Sequence, residues 1–435
     1  MGTRFGRRRT VVAALAAAVA LLAACAPGGG SESDAPKPQK SVDFKGKTLT
    51  YLYFTDGPDE KATRDTMAAF QKETGAKVNL QIVPFADLET SLRARLTGGN
   101  APDVVRLSDL APFRDDLLDL APFLGEDYGG QFIEGMVAAA TPENGKLIAV
   151  PSDLTMNGPF VNVDMFKKAG IALPADDKPW TWQELLANAE KAQQANGSEF
   201  AFAMDKSGHR VSTVLSEYGT RLITDGKESL DEGKAEKAIS LLTNLMKSGK
   251  MDKDFWLASG SKYKGANEIF LAQAAPVYLS GNWQVSQFTT AAKFNWQAIP
   301  NPCAETCGGF PGGKYMAAVE KSDTPDLAAA FIKFSNEADQ QSAFAATSLF
   351  LPTRKDLIEG GVNYPQRGKD MATFLADVKR TPEEAYTTVA SAAFGASAKV
   401  LIDEMSKVVA GQESVSQTVS NIKRATARNV EDLGS

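Results

Sequence analysis

The chain has 435 residues, of which 43% are hydrophobic and 23% charged, and this is the composition of an ordinary globular protein. Its 47 basic and 53 acidic residues give a formal net charge of −6, which leaves no basic footprint for nucleic acid. The length exceeds what a single hydrophobic core fills, so we expect at least two lobes.

The first 24 residues have the pattern of a secretory signal peptide. Arg4 and three arginines at 7–9 precede an apolar run at 11–24, which is too short to cross a membrane as a mature helix. The sequence Leu-Ala-Ala-Cys that ends at Cys25 resembles the bacterial lipobox, whose cysteine is lipidated and becomes the new N-terminus. The resemblance implies an extracytoplasmic protein anchored to the cell membrane. An ordinary signal peptide with a chance cysteine is the alternative, and a twin-arginine export route stays open.

Residues 25–45 are interpreted as the lipidated cysteine followed by a flexible tether. The stretch at 26–41 contains no large apolar residue, so it has nothing to bury in a core. Without residues 1–24 the chain has 43 basic and 53 acidic residues, a net charge of −10.

From Thr48 onwards the pattern alternates between strands and helices. Residues 48–54, 77–83 and 103–107 are predicted strands, and residues 59–73 and 87–96 are predicted helices. This cadence predicts an α/β fold with a parallel sheet flanked by helices.

The later chain repeats this alternation. Thr181 and Glu184 form a capping-box pattern that opens a helix ending near Asn196, and Thr324-Pro325 opens another. Residues 276–280 and 294–299 are predicted strands, and the chain beyond Thr381 is predicted to be mainly helical.

Cys303 and Cys307 remain when Cys25 is set aside for lipidation. In an oxidising compartment a short disulfide loop is the favoured interpretation. A zinc site would need more soft or imidazole ligands, and the chain has one histidine. We therefore expect no metal and no cofactor.

The motifs of most hydrolases are missing. A single histidine excludes a His-Glu-x-x-His zinc site, and there is no Gly-x-Ser-x-Gly elbow and no phosphate-binding loop. A glycosidase needs only two carboxylates, so that class stays open as a minor alternative. We expect a protein that is not an enzyme.

From about Thr48 to the C-terminus the chain resembles the extracellular solute-binding proteins (family 1, similar to maltose-binding proteins) of bacterial ABC-type sugar importers. Five stretches in the order of the family carry the resemblance: residues 96–105; residues 149–153 with 160–170; residues 180–185; residues 277–283; and residues 312–316 through 331–334 and 351–356.

The resemblance implies a type II periplasmic-binding-protein fold, with two α/β lobes joined by hinge crossings. Lobe one is expected to comprise residues 46–155 and 300–335, and lobe two residues 156–299 and 336–435. A ligand that contacts both lobes would stabilise the closed form, which the importer can recognise.

Trp283 is the leading candidate for the ligand site, because the apolar face of a pyranose stacks on an indole ring. The alternative is a core tryptophan beneath the cleft. Asn282 is a candidate partner for a sugar hydroxyl, although a turn role is nearly as plausible. Tyr218 stands where many members of the family have a Gly-Gly pair near the ligand. Trp256 and His209 are secondary candidates.

Phe54 and Asp56 follow the first predicted strand and Asp109 the third, and the carboxyl ends of parallel strands are where such sheets bind ligands. Asp153 lies at the expected crossing between the lobes. Each acid could accept hydroxyl hydrogen bonds, or could serve instead as a helix cap or turn carboxylate. Gly312 and Gly313 would let backbone amides approach a sugar, or would form a tight turn.

The expected partners are a carbohydrate ligand, the permease subunits of an ABC transporter and, through the lipid anchor, the membrane; the protein itself is expected to be a monomer. The same fold binding a polyol, peptide or phosphodiester is the main alternative. A lipoprotein adhesin or a sugar sensor that signals to a membrane kinase is another.

Overall fold

The structure is a computed structural model that describes residues 36–38, 43–142 and 144–433. The predicted signal peptide, the predicted lipidation site at Cys25 and most of the predicted tether lie outside the described residues.

A mixed β-sheet organises the chain. Its strands are neighbours in the order β2-β1-β3-β10-β4-β8-β5, with β9 paired to β4, while β6 and β7 form a separate pair. The strand bounds are β1 Thr48–Tyr53, β2 Lys77–Ile82, β3 Val104–Leu107, β4 Val150–Asn162, β5 Phe202–Met204, β6 Ile223–Thr224, β7 Lys227–Glu228, β8 Val277–Gly281, β9 Trp296–Ala298 and β10 Pro311–Ala318.

Helices cover the sheet. Their bounds are α1 Asp59–Thr74, α2 Leu88–Gly98, α3 Ala121–Leu124, α4 Glu134–Ala140, α5 Val163–Lys168, α6 Trp182–Asn196, α7 Gly208–Glu217, α8 Glu232–Lys247, α9 Lys253–Leu257, α10 Ala266–Leu271, α11 Gln284–Ala291, α12 Pro325–Ser335, α13 Ala338–Ser348, α14 Lys355–Gly360, α15 Gly368–Arg380, α16 Glu383–Ala390, α17 Phe394–Ala410 and α18 Val415–Leu433. Short 3₁₀ helices occupy Phe85–Asp87, Ala111–Asp116 and Tyr128–Gln131.

The predicted parallel arrangement is confirmed for the first three strands, since β1 pairs in parallel with both β2 and β3. The sheet as a whole is mixed, because β10 runs antiparallel between β3 and β4. A strand that returns late in the chain cannot be read from local alternation.

Local signals explain where helices begin and end. The predicted capping box is confirmed at α6: Glu184 N donates to Thr181 Oγ1 at 3.1 Å, and Thr181 N donates to the Glu184 carboxylate at 2.8 Å. In α1 the predicted inward residues Met67 and Phe70 are buried, and a buried side chain of this size contributes about 1.5–3 kcal/mol. Gly75 ends α1 with φ 72°, a conformation that favours glycine.

Strand β4 carries the chain from one lobe into the other. Its residues 150–156 pair with β10, and its residues 157–161 pair with β8. Buried apolar residues form two clusters: one includes Leu52, Phe70 and Phe331, and the other includes Trp182 and Leu242.

The segment after residue 335 differs from the boundary drawn from the sequence. Helix α13 packs against α1, and Ala345, Leu351 and Ile358 belong to the same cluster as the first strands. We therefore propose that residues 336–360 belong to lobe one, because α13 packs directly against α1.

Among the described residues, no single helix is long and apolar enough to span a membrane. Helices α16 and α17 would pass together by length and composition, and they are bent by 97° at the break between them.

Candidate functional site

A cavity lies where the part of the sheet that pairs β4 with β10 meets the part that pairs β4 with β8. Its volume of about 420 Å³ is within the usual range for small-molecule sites. We call it the cleft. Lobe one contributes side chains or backbone from Asp56, Phe85, Asp109, Gly312, Gly313 and Lys314. The residues that line the other side include Asn157, His209, Arg210, Trp283 and Phe394.

Trp283 presents a partly exposed indole to the cleft, at the junction of β8 and α11. The guanidinium of Arg210 lies over this indole, with Cζ 4.3 Å from the ring centroid. The ring sits close to the backbone at Gly281, where an added Cβ would lie 2.1 Å from the indole. The glycine therefore allows the indole its position, and the contact with Arg210 holds the ring by a cation–π interaction.

A partly buried hydrogen-bond network fixes Arg210. Its Nη1 donates to Asn157 Oδ1 at 2.6 Å, and its Nε donates to Asp205 at 3.3 Å. Asn157 in turn donates through Nδ2 to Thr213 Oγ1 at 2.8 Å. Because Asn157 belongs to β4, this network joins the crossing strand to α7 and to the indole of Trp283.

His209 lies beside Arg210 and packs edge-on against Phe394, with ring centroids 4.9 Å apart. Burial lowers the pKa of His209 to about 3, and the positive charges of Arg210 and Lys314 add to this effect. The imidazole is therefore neutral at neutral pH and offers the cleft one donor and one acceptor.

Asp56 and Asp109 follow β1 and β3 and both line the cleft. The side chain of Asp56 is 31% exposed and lies 3.2 Å from Arg106 Nη1. Asp109 accepts a hydrogen bond from Ala111 N at 3.0 Å, and burial raises the pKa of its carboxyl. Each carboxylate therefore takes part in an interaction within the protein and also lines the cleft.

Behind Asp56, a charge cluster forms around Arg106, whose side chain is 1% exposed. Arg106 contacts Asp153 at 2.9 Å and Asp59 at 3.2 Å, and it donates to Phe54 O at 2.9 Å. Burial alone would lower the pKa of the guanidinium, but Asp153 and the other facing groups outweigh it and raise the pKa. The three carboxylates repel one another, and the cluster is stable only because the guanidinium of Arg106 lies between them.

The structure places Asp153 and Phe54 in this cluster. Asp153 is 1% exposed, and its oxygens accept from Arg106. Phe54 is fully buried, and its ring centroid lies 4.6 Å from Arg106 Cζ. Both residues support the wall of the cleft from behind, so we assign them a positioning role.

Asn282 is also fully buried. Its Oδ1 accepts from Met156 N at 2.9 Å, its Nδ2 donates to Leu349 O at 3.2 Å, and its own N donates to Met156 O at 3.1 Å. The side chain therefore ties the segment before Trp283 to β4 and to the chain at Leu349, and its polar atoms are occupied.

Gly312 and Gly313 lie inside strand β10 and line the cleft, so the tight turn considered from the sequence is not formed there. A Cβ at Gly313 would lie 2.3 Å from Met136 Cε, and a Cβ at Gly312 would lie 2.8 Å from Thr155 Oγ1. These glycines permit close packing of the wall.

Tyr218 and Trp256 lie in lobe two, away from the residues that line the cleft. Tyr218 ends α7 and packs, half-buried, against the second apolar cluster, which also contains the buried Trp256. Cys303 and Cys307 form a disulfide, and the loop between them donates from Glu305 N and Thr306 N to Glu217 O, each at 2.9 Å. The loop thus caps α7 at the end opposite His209 and Arg210.

The cleft residues that were not among the sequence candidates include Phe85, Asn157, Arg210 and Lys314. Phe85 is 60% exposed and follows the carboxyl end of β2, so the rule that selected Phe54 and Asp56 would have found it. Arg210 lies within a helix, and its approach to Trp283 has no signal in the sequence.

Within the part of the chain that the structure describes, no group of three or more His, Cys, Asp or Glu side chains could hold a metal ion.

Comparison with known proteins places these features in context. Residues 65–380 match the family described as bacterial extracellular solute-binding proteins. The chain is 23% identical over 343 residues to the diacetylchitobiose binding protein DasA of Streptomyces coelicolor, which covers 75% of this chain and 78% of that protein. It is 24% identical over 330 residues to the galactooligosaccharide-binding protein of Bacillus subtilis, with 72% and 75% covered.

A similar fold is found in the GacH receptor of Streptomyces glaucescens, whose structure was solved unliganded and with acarbose. The TM-score is 0.75 at 20% identity, and the match covers 89% of this chain and 99% of that chain. The likeness supports the two-lobed type II periplasmic-binding-protein fold.

Proposed function

The chain belongs to the family of bacterial extracellular solute-binding proteins, and from this premise we propose that it binds a neutral oligosaccharide in the cleft and delivers it to an ABC importer. The proteins to which the chain is similar are described as binding proteins or receptors, which supports a binding role and not catalysis. Two of them bind oligosaccharides by name, which supports a sugar as the ligand here.

The observation that carries the proposal is the partly exposed indole of Trp283 at the cleft. A flat aromatic surface favours the apolar face of a pyranose, and nearby amide, imidazole and carboxylate groups favour its hydroxyls. Asp56 and Asp109 are balanced by Arg210 and Lys314 among the lining residues, which favours a ligand without net charge.

The position of these groups explains how binding would close the lobes. With the lobe boundaries proposed here, Asp56 and Asp109 fall in lobe one, after β1 and β3, whereas Trp283 and Arg210 fall in lobe two, beside β8 and in α7. A sugar that contacts both sets binds the closed form better than the open form, and this difference shifts the equilibrium.

We further propose that Cys25 is lipidated, that the mature protein is a monomer held at the outer face of the cell membrane, and that the permease subunits accept the closed form. Mass spectrometry of protein from the native membrane tests the anchor, because lipidated Cys25 would be the first residue. An unmodified N-terminus beyond residue 25 would contradict it.

The ligand can be identified by a thermal-shift screen with malto-, chito- and galactooligosaccharides. A ligand present at one hundred times its Kd stabilises the folded protein by about 2.7 kcal/mol. A folded protein that responds to no sugar would contradict the proposal and favour a polyol, peptide or phosphodiester.

Two tryptophan variants assign the site. Trp283→Ala should weaken binding of the best sugar by at least about 30-fold, equivalent to about 2 kcal/mol, because it removes the stacking surface. Trp180→Ala is the matched control: Trp180 is also partly buried, but it stacks on Phe166 and does not line the cleft. Equal affinities for the two folded variants, measured by calorimetry, would remove Trp283 from the site.

A further inference from the structure

A second cavity, of about 490 Å³, adjoins the cleft at Asp56 and Trp283. We call it the outer groove. One wall is the loop after β1, at residues 56–58, and the other is α11, with Gln284, Ser286, Gln287 and Thr290. Asp56 and Trp283 line both the cleft and the outer groove, so the two cavities meet at this pair of residues.

The lining of the outer groove is polar and almost uncharged. Amides and hydroxyls from α11 face a wall in which Asp56 is the charged residue. Gln284 Oε1 is buried and accepts no hydrogen bond from any described residue. A buried acceptor without a donor is unfavourable, so rotation of this side chain toward the outer groove would let a ligand hydroxyl donate to it.

The outer groove also joins the two lobes, since residues 56–58 follow β1 of lobe one and α11 follows β8 of lobe two. A ligand that fills it therefore contacts both lobes, as a ligand in the cleft does. Its additional contacts would add to the preference for the closed form.

Resting on the function proposed above, we infer that the cleft and the outer groove form one path for a single oligosaccharide. The chain of the sugar passes Trp283, with some units in the cleft and further units in the outer groove. The protein consequently selects its ligand by chain length, and the residues of α11 are the specificity-determining ones.

Calorimetry with two length series tests this: maltose against maltotetraose, and diacetylchitobiose against the corresponding tetrasaccharide. In the series that binds, the Kd of the tetrasaccharide should be about tenfold lower than that of the disaccharide, because the additional sugar units contact the outer groove. Thr290→Trp fills the outer groove and should abolish this gain, so that the tetrasaccharide binds no more tightly than the disaccharide.

Thr289→Trp is the matched control. Thr289 and Thr290 are neighbours in α11, both are exposed, and each donates its hydroxyl to a carbonyl of that helix. Only Thr290 lines the outer groove, so the Thr289 variant should keep the gain with chain length.

The outcomes separate the two proposals. If the folded protein binds none of the malto-, chito- and galactooligosaccharides of the thermal-shift screen, the proposed function fails and the inference fails with it. If disaccharides bind and tetrasaccharides bind no more tightly, the inference alone is overturned. It is overturned as well if Thr290→Trp weakens both lengths equally or leaves the gain in place.

Discussion

The two walls of the cleft use charge in different ways. In lobe one, Arg106 is 1% exposed and is surrounded by Asp56, Asp59 and Asp153. All three carboxylates form ion pairs with this one guanidinium. In lobe two, Arg210 lies over the partly exposed indole of Trp283. The guanidinium of Arg106 stabilises the packing of one wall, and the guanidinium of Arg210 positions an aromatic ring that a ligand can contact.

This difference separates stability from recognition. Removing the cation of a buried cluster leaves desolvated negative charges with no partner, which is costly to the fold. Removing Arg210 takes the cation from the partly exposed ring of Trp283 and a donor from Asn157 and Asp205, but it leaves no buried cluster of carboxylates without a cation. Mutations in the two walls should therefore change different measured quantities.

The largest effect is expected from Arg106→Ala. It leaves the buried carboxylates of Asp59 and Asp153 without their cation, and we expect a loss of about 3–5 kcal/mol in the free energy of unfolding. Urea unfolding measures this directly. Arg64→Ala is the control, because Arg64 forms an exposed pair with Glu60 whose loss should cost at most about 1 kcal/mol. Similar losses in the two variants would show that the cluster does not stabilise lobe one.

A smaller effect, on affinity, is expected from Arg210→Ala. The cation–π contact with Trp283 is lost, and contacts of this kind contribute about 0.5–2 kcal/mol, or about 2- to 30-fold in Kd. Calorimetry with the sugar from the screen measures it. An unchanged Kd for a folded variant would mean that Trp283 keeps its position without the guanidinium.

The smallest effect concerns pH and His209. The pKa of His209 is lowered from 6.5 to about 3 in the folded protein. Below about pH 6.5 the imidazole is therefore protonated in the unfolded chain but stays neutral in the folded protein. Stability contributed by this residue is therefore present above about pH 6.5 and is lost as the pH falls. Between about pH 7 and pH 5.5 the loss should be about 1 kcal/mol.

His209→Gln removes this titration, so the difference in unfolding free energy between the variant and the wild type should change over the same interval. His209 is the one histidine of the chain, which makes the comparison specific. Parallel pH profiles for the two proteins would contradict the lowered pKa.

The sequence predicted the fold well because its signals are local. The capping box at Thr181 and the glycine that ends α1 act within one turn of helix, so residue identity alone determines them. The place of β10 between β3 and β4 depends on pairing across more than 150 residues of chain, and no local pattern encodes it.

The site was predicted less completely. Rules about strand ends selected Asp56 and Asp109, which line the cleft, but they also selected Phe54, which is fully buried. Which way a side chain turns after a strand depends on its partners, and Arg106 was not visible as a partner from the sequence. Arg210 was missed for the same reason, since α7 reaches the cleft only through tertiary packing.

The hydrogen bonds that join Asn282 to Met156 and Leu349 have a thermodynamic consequence for the neighbouring indole. Because Asn282 is held by Met156 and Leu349, the backbone just before Trp283 has little freedom left when the protein has folded. Ordering of a recognition surface normally opposes association. Here the conformational entropy of this backbone is lost during folding and not on binding. The ring of Trp283 is therefore preorganised, and less of the free energy of its contacts with a sugar is offset by ordering.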